Sequence, residues 1–301
     1  MDTLILKIRL MLLTWLHLRS QPGSVYFVKC FSYREIKKAT DGFKRILENS
    51  SKGTTYRAKF QNGQAATIKE IRAYDDLDDE AFYGNVQLLG HLHHRHIASL
   101  SGYSRGHKRF LIYEDCERGS LKDHLSDPLK TPLNWRTRLQ IAVGIAAALE
   151  YLHFFCDPPV YHVSISSSTI MLDENLIAKL SDVSLLSSAA SEKTQPNSEE
   201  GSSRQSCNDS IFQLGLLILE LITGQSSDNG GVDLVQWVQE ALVPRSINKM
   251  IDPDLGSSYN PKELKGLLSV ARLCIEALDK PPSYPSQVLR YLRTKVATIR
   301  T

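Results

Sequence analysis

Apolar residues recur at two different spacings along this chain, and the change from one to the other divides it. Before Gly119 the signals are mostly short. Thr54–Phe60 and Ala65–Ile71 are strand-like runs on either side of Gln61-Asn62-Gly63-Gln64. An Asn-Gly pair between two such runs predicts a tight hairpin. Phe110–Tyr113 is a further strand, and Glu80–Leu92 predicts a helix with Phe82, Val86 and Leu89 on one face. Upstream, Ser32 with Glu35 three residues later fits a capping box that opens a helix over Tyr33–Ala39. Beyond Gly119 the spacing is helical. Leu121–Leu125 is short and Trp135–Phe155 is long, and the middle of the long segment, Ile141–Leu149, is apolar almost all round. A helix of that kind belongs at the centre of a lobe. Leu214–Ile222 is a second such helix, closed by Thr223-Gly224, where glycine suits the C-terminal cap. Helical patterns continue over Leu234–Ala241, Pro261–Ala277 and Ser286–Ala297. The expected fold is α+β, with a small strand-rich N-lobe at about 25–114 and a larger helical C-lobe at about 118–297.

Two segments stand outside this pattern. Ser187–Ser210 holds eight serines in 24 positions and few apolar residues. Such a stretch buries too little surface to offset its ordering entropy, so a long mobile loop is expected there. Residues 1–24 form an apolar and basic tail with a turn-rich linker. Leu4–Leu18 is apolar except for Lys7, Arg9, Thr14 and His17. It fits the core of a signal peptide, a segment lying on a membrane surface, or a plain tail. No uninterrupted apolar run reaches the ~18 residues of a membrane-crossing helix.

Composition narrows the picture further. The chain has 301 residues, 42% hydrophobic and 23% charged, which suffices for two domains or one large bilobal unit. The balance of 36 basic to 33 acidic residues is spread along the chain, so nucleic acid is not an expected partner. Five widely spaced cysteines without a C-x-x-C pair argue against a disulfide framework or a zinc site and fit a reducing compartment.

Several stretches, taken in order, resemble one family. They are Phe31-Ser32-Tyr33 with Ala39-Thr40, Ala66-Thr67-Ile68-Lys69, His93-His94-Arg95-His96, Tyr113-Glu114, Gly119-Ser120-Leu121-Lys122-Asp123-His124-Leu125, Ala148-Leu149-Glu150-Tyr151-Leu152-His153, and Leu219-Glu220-Leu221-Ile222-Thr223-Gly224. From about Phe31 to Leu292 the chain resembles a eukaryotic protein kinase, specifically a plant receptor-like serine/threonine kinase. The resemblance implies a bilobal protein-kinase-like fold over about 25–297, with ATP and Mg²⁺ as the family's cofactors. The chemistry of that family needs a phosphate cradle, a lysine held by a helix glutamate, metal ligands and a base.

This sequence departs from the family pattern at most of those parts. Of the three spaced glycines only Gly53 remains, with Glu48 and Ser50 at the other places. Lys69 matches the strand lysine, but its helix partner is Asn85, which leaves Lys69 to pair with Asp182 instead. The catalytic loop is His162-Val163-Ser164-Ile165-Ser166-Ser167-Ser168-Thr169. Ser164 stands where the base aspartate belongs, Ser166 where the loop lysine belongs, and Thr169 where the metal-binding asparagine belongs. An unassisted hydroxyl is a poor base near neutral pH.

The metal motif appears as Asp182-Val183-Ser184, which leaves Asp182 as a weak Mg²⁺ candidate. The peptide-docking end of the activation segment is missing, and Pro281 replaces the arginine that would pair with its glutamate. The aspartate of the central helix is displaced, with Ser210 at its place and Asp209 beside it. No catalytic residue is assigned, and Lys69, Gly53 and Asp182 form only a residual nucleotide pocket. The expectation is a pseudokinase that scaffolds or regulates an active kinase or receptor. It would be cytoplasmic, at the inner face of the plasma membrane if residues 4–18 hold it there. Ser198, Ser202 and Ser203 are phosphorylation candidates, with Arg204 or Lys193 to receive the phosphate. The alternative is a weak or atypical ATP-dependent serine/threonine kinase.

Overall fold

A computed structural model describes residues 28–50, 53–71, 79–105, 108–157, 159–183, 199–227, 232–240, 250–279, 287, 290 and 291. The first lobe is a six-stranded sheet. Its strands are β1 (Lys29–Cys30), β2 (Ile46–Ser50), β3 (Gly53–Lys59), β4 (Ala65–Ile71), β5 (Leu100–Ser104) and β6 (Arg109–Glu114), in the spatial order β1-β5-β6-β4-β3-β2. Only β1 with β5 is parallel. Helix α1 (Tyr33–Ala39) opens on the expected capping box, with the Ser32 N–H donating to Glu35 Oε2 at 2.7 Å. The β3–β4 turn is the expected Asn-Gly hairpin, and Gly63 takes the positive φ of 84° that glycine tolerates. Helix α2 (Asp79–His91) follows β4.

Strand β6 shows how one sheet serves two cores. Alternate residues point to opposite faces. Phe110 and Ile112 therefore join Phe31, Ile36, Tyr56 and Ile68 in a small outer core. Leu111 and Tyr113 face the other way, into the core that holds Phe82, Val86 and Leu89 of α2 and continues through the second lobe.

The second lobe begins with β7 (Gly119–Ser120) and α3 (Leu121–Ser126), then α4 (Trp135–Glu150). Strands β8 (Ile170–Leu172) and β9 (Ala178–Leu180) complete a three-stranded sheet in the order β7-β8-β9. Helices α5 (Glu199–Thr223), α6 (Val232–Glu240) and α7 (Pro261–Ile275) complete the lobe, with α5 packed on α4 and on α7. The nearly all-apolar helix is central as expected, with Leu139, Ile141, Ala142, Ile145, Ala148 and Leu149 buried.

Four expectations need correction or limits. The long helix does not run unbroken to Phe155. It ends as an α-helix at Glu150 and widens into a π turn over Tyr151–Phe155, leaving Phe154 and Phe155 exposed. The serine-rich segment is not a loop throughout. From Glu199 it belongs to α5, because Cys207 and Ser210 are buried against His153, a partner that segment composition cannot reveal. The strands β1, β2, β5, β7, β8 and β9 were not expected. The segment Ser286–Ala297 lies almost wholly outside the described residues, as do Lys193, Ser198 and Pro281. Ser202, Ser203 and Arg204 lie in the α5 backbone.

Candidate functional site

The candidate site lies where the sheet of the first lobe meets the loop between α4 and β8. Strands β2 and β3 are paired up to Ser50 opposite Gly53, with Glu48 opposite Thr55. The hairpin is therefore laddered to within two residues of its tip. Thr54 Oγ1 donates to Asn49 Oδ1 across it at 3.1 Å. Gly53 has a φ of 149°, a conformation that glycine adopts without strain.

Lys69 is held in the middle of the sheet, opposite Thr55 on β3 and Leu111 on β6. Its Nζ lies 2.6 Å from Asp182 Oδ1. The lysine side chain is 27% exposed and the aspartate 11%, so the carboxylate is the more desolvated partner. Tyr113, on the strand beside Lys69, lies near Asp182. Burial first, and then the Asp182 charge, push its phenol well above its ordinary pKa, so it stays neutral. Asn85 sits half-buried on α2 and forms no bond to Lys69 among the described residues.

The loop from Val163 to Thr169 is stitched to itself. Val163 bridges Val183, and the Ser164 N–H donates to the Asp182 carbonyl at 3.1 Å. This fixes Asp182 against the loop through backbone alone. The Thr169 hydroxyl accepts from the Ser166 N–H at 2.9 Å and donates to the Ser164 carbonyl at 2.9 Å. Ser166 Oγ and Ser168 Oγ are 2.8 Å apart. Ser181 Oγ donates to the Thr169 carbonyl at 2.7 Å. Serine and threonine favour such local bonds to nearby backbone. The three degenerate positions thus come together as parts of a turn, with no carboxylate, amine or amide among them.

The loop's outer anchor was not foreseen. Ser210, at the central-helix position, turns away and bonds to His153 and to the Cys207 carbonyl. One turn further along α5, Gln213 Oε1 accepts the Ile165 N–H at 2.7 Å and holds the loop instead. His162 reaches Ser206 Oγ at 3.3 Å.

This donor set does not fit a Mg²⁺–triphosphate. Magnesium requires near-octahedral oxygen coordination. Asp182 already holds Lys69, the Thr169 hydroxyl is spent inside its turn, and no cluster of three His, Cys, Asp or Glu side chains occurs among the described residues.

Comparison with known proteins gives this cleft its context. The family model for protein tyrosine and serine/threonine kinases matches residues 43–207. A probable receptor-like protein kinase of Arabidopsis thaliana is 36% identical over 282 residues, which cover 87% of this chain and 42% of the relative. The probable serine/threonine-protein kinase PBL22 of the same plant is 31% identical over 279 residues, covering 84% of this chain and 73% of PBL22. The chain thus spans about two fifths of the first relative and nearly three quarters of the second. Among solved structures, the pseudokinase domain of BIR2, an immune regulator of the RLK/Pelle family, has a TM-score of 0.71 at 25% identity, over 88% of this chain and 84% of that one. The pseudokinase DRIK1 has a TM-score of 0.70 at 22% identity, over 90% of this chain and 98% of that one, a likeness of fold. The chain belongs to the protein kinase family, and within it to the plant receptor-like kinases.

Proposed function

We propose that this domain has lost phosphoryl transfer and serves as a signalling scaffold or regulator that docks on an active kinase or receptor. The reading rests above all on the loop Ser164–Thr169. Where the reaction needs a base, a cation and a metal ligand, the loop carries hydroxyls, and those of Ser166 and Thr169 are bonded within it. The glutamate that would position Lys69 is Asn85. The likeness to BIR2, itself a pseudokinase and an immune regulator, supports the same role. The working unit is the domain of residues 25–297, cytoplasmic and held at the inner face of the plasma membrane through residues 4–18.

The competing reading is a weak serine/threonine kinase built on Lys69 and Asp182, and it draws support from their 2.6 Å contact. Nucleotide binding separates the two. A ligand at ~100 times its dissociation constant stabilises its target by ~2.7 kcal/mol, which a melting curve resolves easily. ATP with Mg²⁺ is expected to leave the melting temperature of the purified chain, and of Lys69→Met, unchanged, with no radiolabel transferred to a general substrate. A Mg²⁺-dependent shift that Lys69→Met abolishes, joined to label transfer that Asp182→Asn abolishes, would establish the kinase instead.

A further inference from the structure

On the outer side of the first lobe, away from the cleft, lies a cavity of about 360 Å³. That volume falls in the range of small-ligand sites. Cations from three elements converge on it: Lys29 of β1, Arg34 and Lys38 of α1, and Lys59 of β3. The one opposing charge is Glu35, whose carboxylate already accepts from the Ser32 N–H and hydroxyl. Three other cations of this lobe are held by carboxylates: Arg57 by Asp115, Lys69 by Asp182 and Lys108 by Glu70. Among the described residues Arg34, Lys38 and Lys59 form no ion pair, and Lys29 lies 4.5 Å from the Phe31 ring centroid. Phe31 and Phe60, with ring centroids 4.8 Å apart, give the cavity an apolar wall. The side-chain amides of Gln61, Asn62 and Gln64 add neutral donors at the rim.

A concave site with excess positive charge, an aromatic wall and amide donors suits a compact ring that carries several phosphates and free hydroxyls. The position in the chain identifies where such a group would come from. The apolar segment Leu4–Leu18, with Lys7 and Arg9, precedes the cavity strand. Residues 19–28 between them can span at most ~35 Å. A bilayer that takes up the segment therefore lies within reach of the cavity.

We propose that this cavity binds the phosphorylated headgroup of a phosphoinositide in a membrane surface, a second contact that sets the orientation of the domain on the bilayer. This inference shares with the proposed function only the placement at a membrane. It does not depend on the loss of phosphoryl transfer, and cavity variants leave residues 4–18 intact.

The test is sedimentation of the full chain with phosphatidylcholine vesicles carrying either phosphatidylinositol bisphosphate or phosphatidylserine at matched charge. Wild type is expected to prefer the phosphoinositide vesicles. Lys38→Gln with Lys59→Gln should weaken that binding about 30-fold, at about fivefold per lysine, and should change phosphatidylserine binding far less. Both lysines are exposed, so an unchanged melting curve is expected. Gln61→Glu, which keeps every lysine and adds a negative charge at the same rim, should weaken binding in the same direction and serves if the double variant does not fold. Equal binding of wild type and variants, or equal binding to both vesicles, would overturn the proposal. So would a soluble inositol trisphosphate or a phosphoserine peptide that binds the chain in calorimetry while phosphoinositide vesicles fail to compete.

Discussion

Arg138→Met is expected to destabilise the domain by about 3–5 kcal/mol, the usual result of removing one partner from a buried ion pair. Arg138 is 1% exposed. Its Nη2 lies 2.7 Å from Asp252 Oδ2, its Nε donates to the Leu133 carbonyl and its Nη1 to the Leu221 carbonyl, each at 2.9 Å. One side chain therefore ties the start of α4, the end of α5 and the turn that begins at Asp252. Methionine fills much of the same volume but satisfies none of the three acceptors. Asp252, 7% exposed, then keeps, among the described residues, only the Asp254 N–H on its other oxygen. At roughly 2–4 °C per kcal/mol for a domain of this size, the melting temperature should fall on the order of 10 °C. Replacing both partners, as Arg138→Met with Asp252→Leu, should recover much of the loss, because an apolar pair leaves no buried charge behind. Urea unfolding of the two single variants and the double variant would give the coupling directly. A loss under about 1 kcal/mol in Arg138→Met would mean that water reaches Asp252 and that the pair is not buried in effect.

What could be foreseen from the sequence follows from how local each signal is. The β3–β4 hairpin was legible because Asn62-Gly63 is a turn whatever surrounds it. The central helices were legible because Ile141–Leu149 and Leu214–Ile222 are apolar over several turns. Strands β8 and β9, three residues each, are too short to show a period, and pairing across the loop between them makes them strands. Gly102 similarly interrupts β5 as a pattern. In the fold it is needed there because a Cβ would overlap the Phe31 ring. The serine-rich segment misleads for the opposite reason. Its composition is that of a loop, yet its second half is helical because α4 and the π turn supply what Cys207 and Ser210 pack against.

The site divides in the same way. That Ser164, Ser166 and Thr169 lack the charged groups of the family is visible residue by residue. That Ser166 and Thr169 bond to one another and to the loop backbone is a matter of loop geometry. Nothing marked Gln213 as the loop's anchor except that Ser210, one turn earlier, is not an aspartate.

His153 carries the second large expected effect, and it is one of pH. The ring is 2% exposed, and burial pushes its pKa down from 6.5 to about 4. Its partners suit a neutral imidazole. Ser210 Oγ donates to the Cys207 carbonyl at 2.8 Å, which leaves it to accept the Nε2 proton at 3.3 Å. Nδ1 then faces the Cys207 sulfur at 3.4 Å as an acceptor. Burial raises that thiol to about 11, so it remains a donor throughout. In the unfolded chain His153 takes a proton near its ordinary pKa, whereas in the folded domain it resists until about pH 4. The unfolded state therefore binds more protons between those values, and stability falls as pH falls. The contribution is fully present above pH 6.5 and is lost progressively toward pH 4, by about 3 kcal/mol in all. His153→Gln should flatten the acid limb of a urea-denaturation series by about that amount, at some cost in stability near neutrality. Ser210→Asp should also flatten the acid limb, while keeping the ring. A carboxylate at Nε2 stabilises the imidazolium, raises the folded-state pKa and reduces the acid loss. If His153→Gln and wild type lost stability equally between pH 6.5 and 4, the acid sensitivity would belong to other groups and the buried ring would be as easily protonated folded as unfolded.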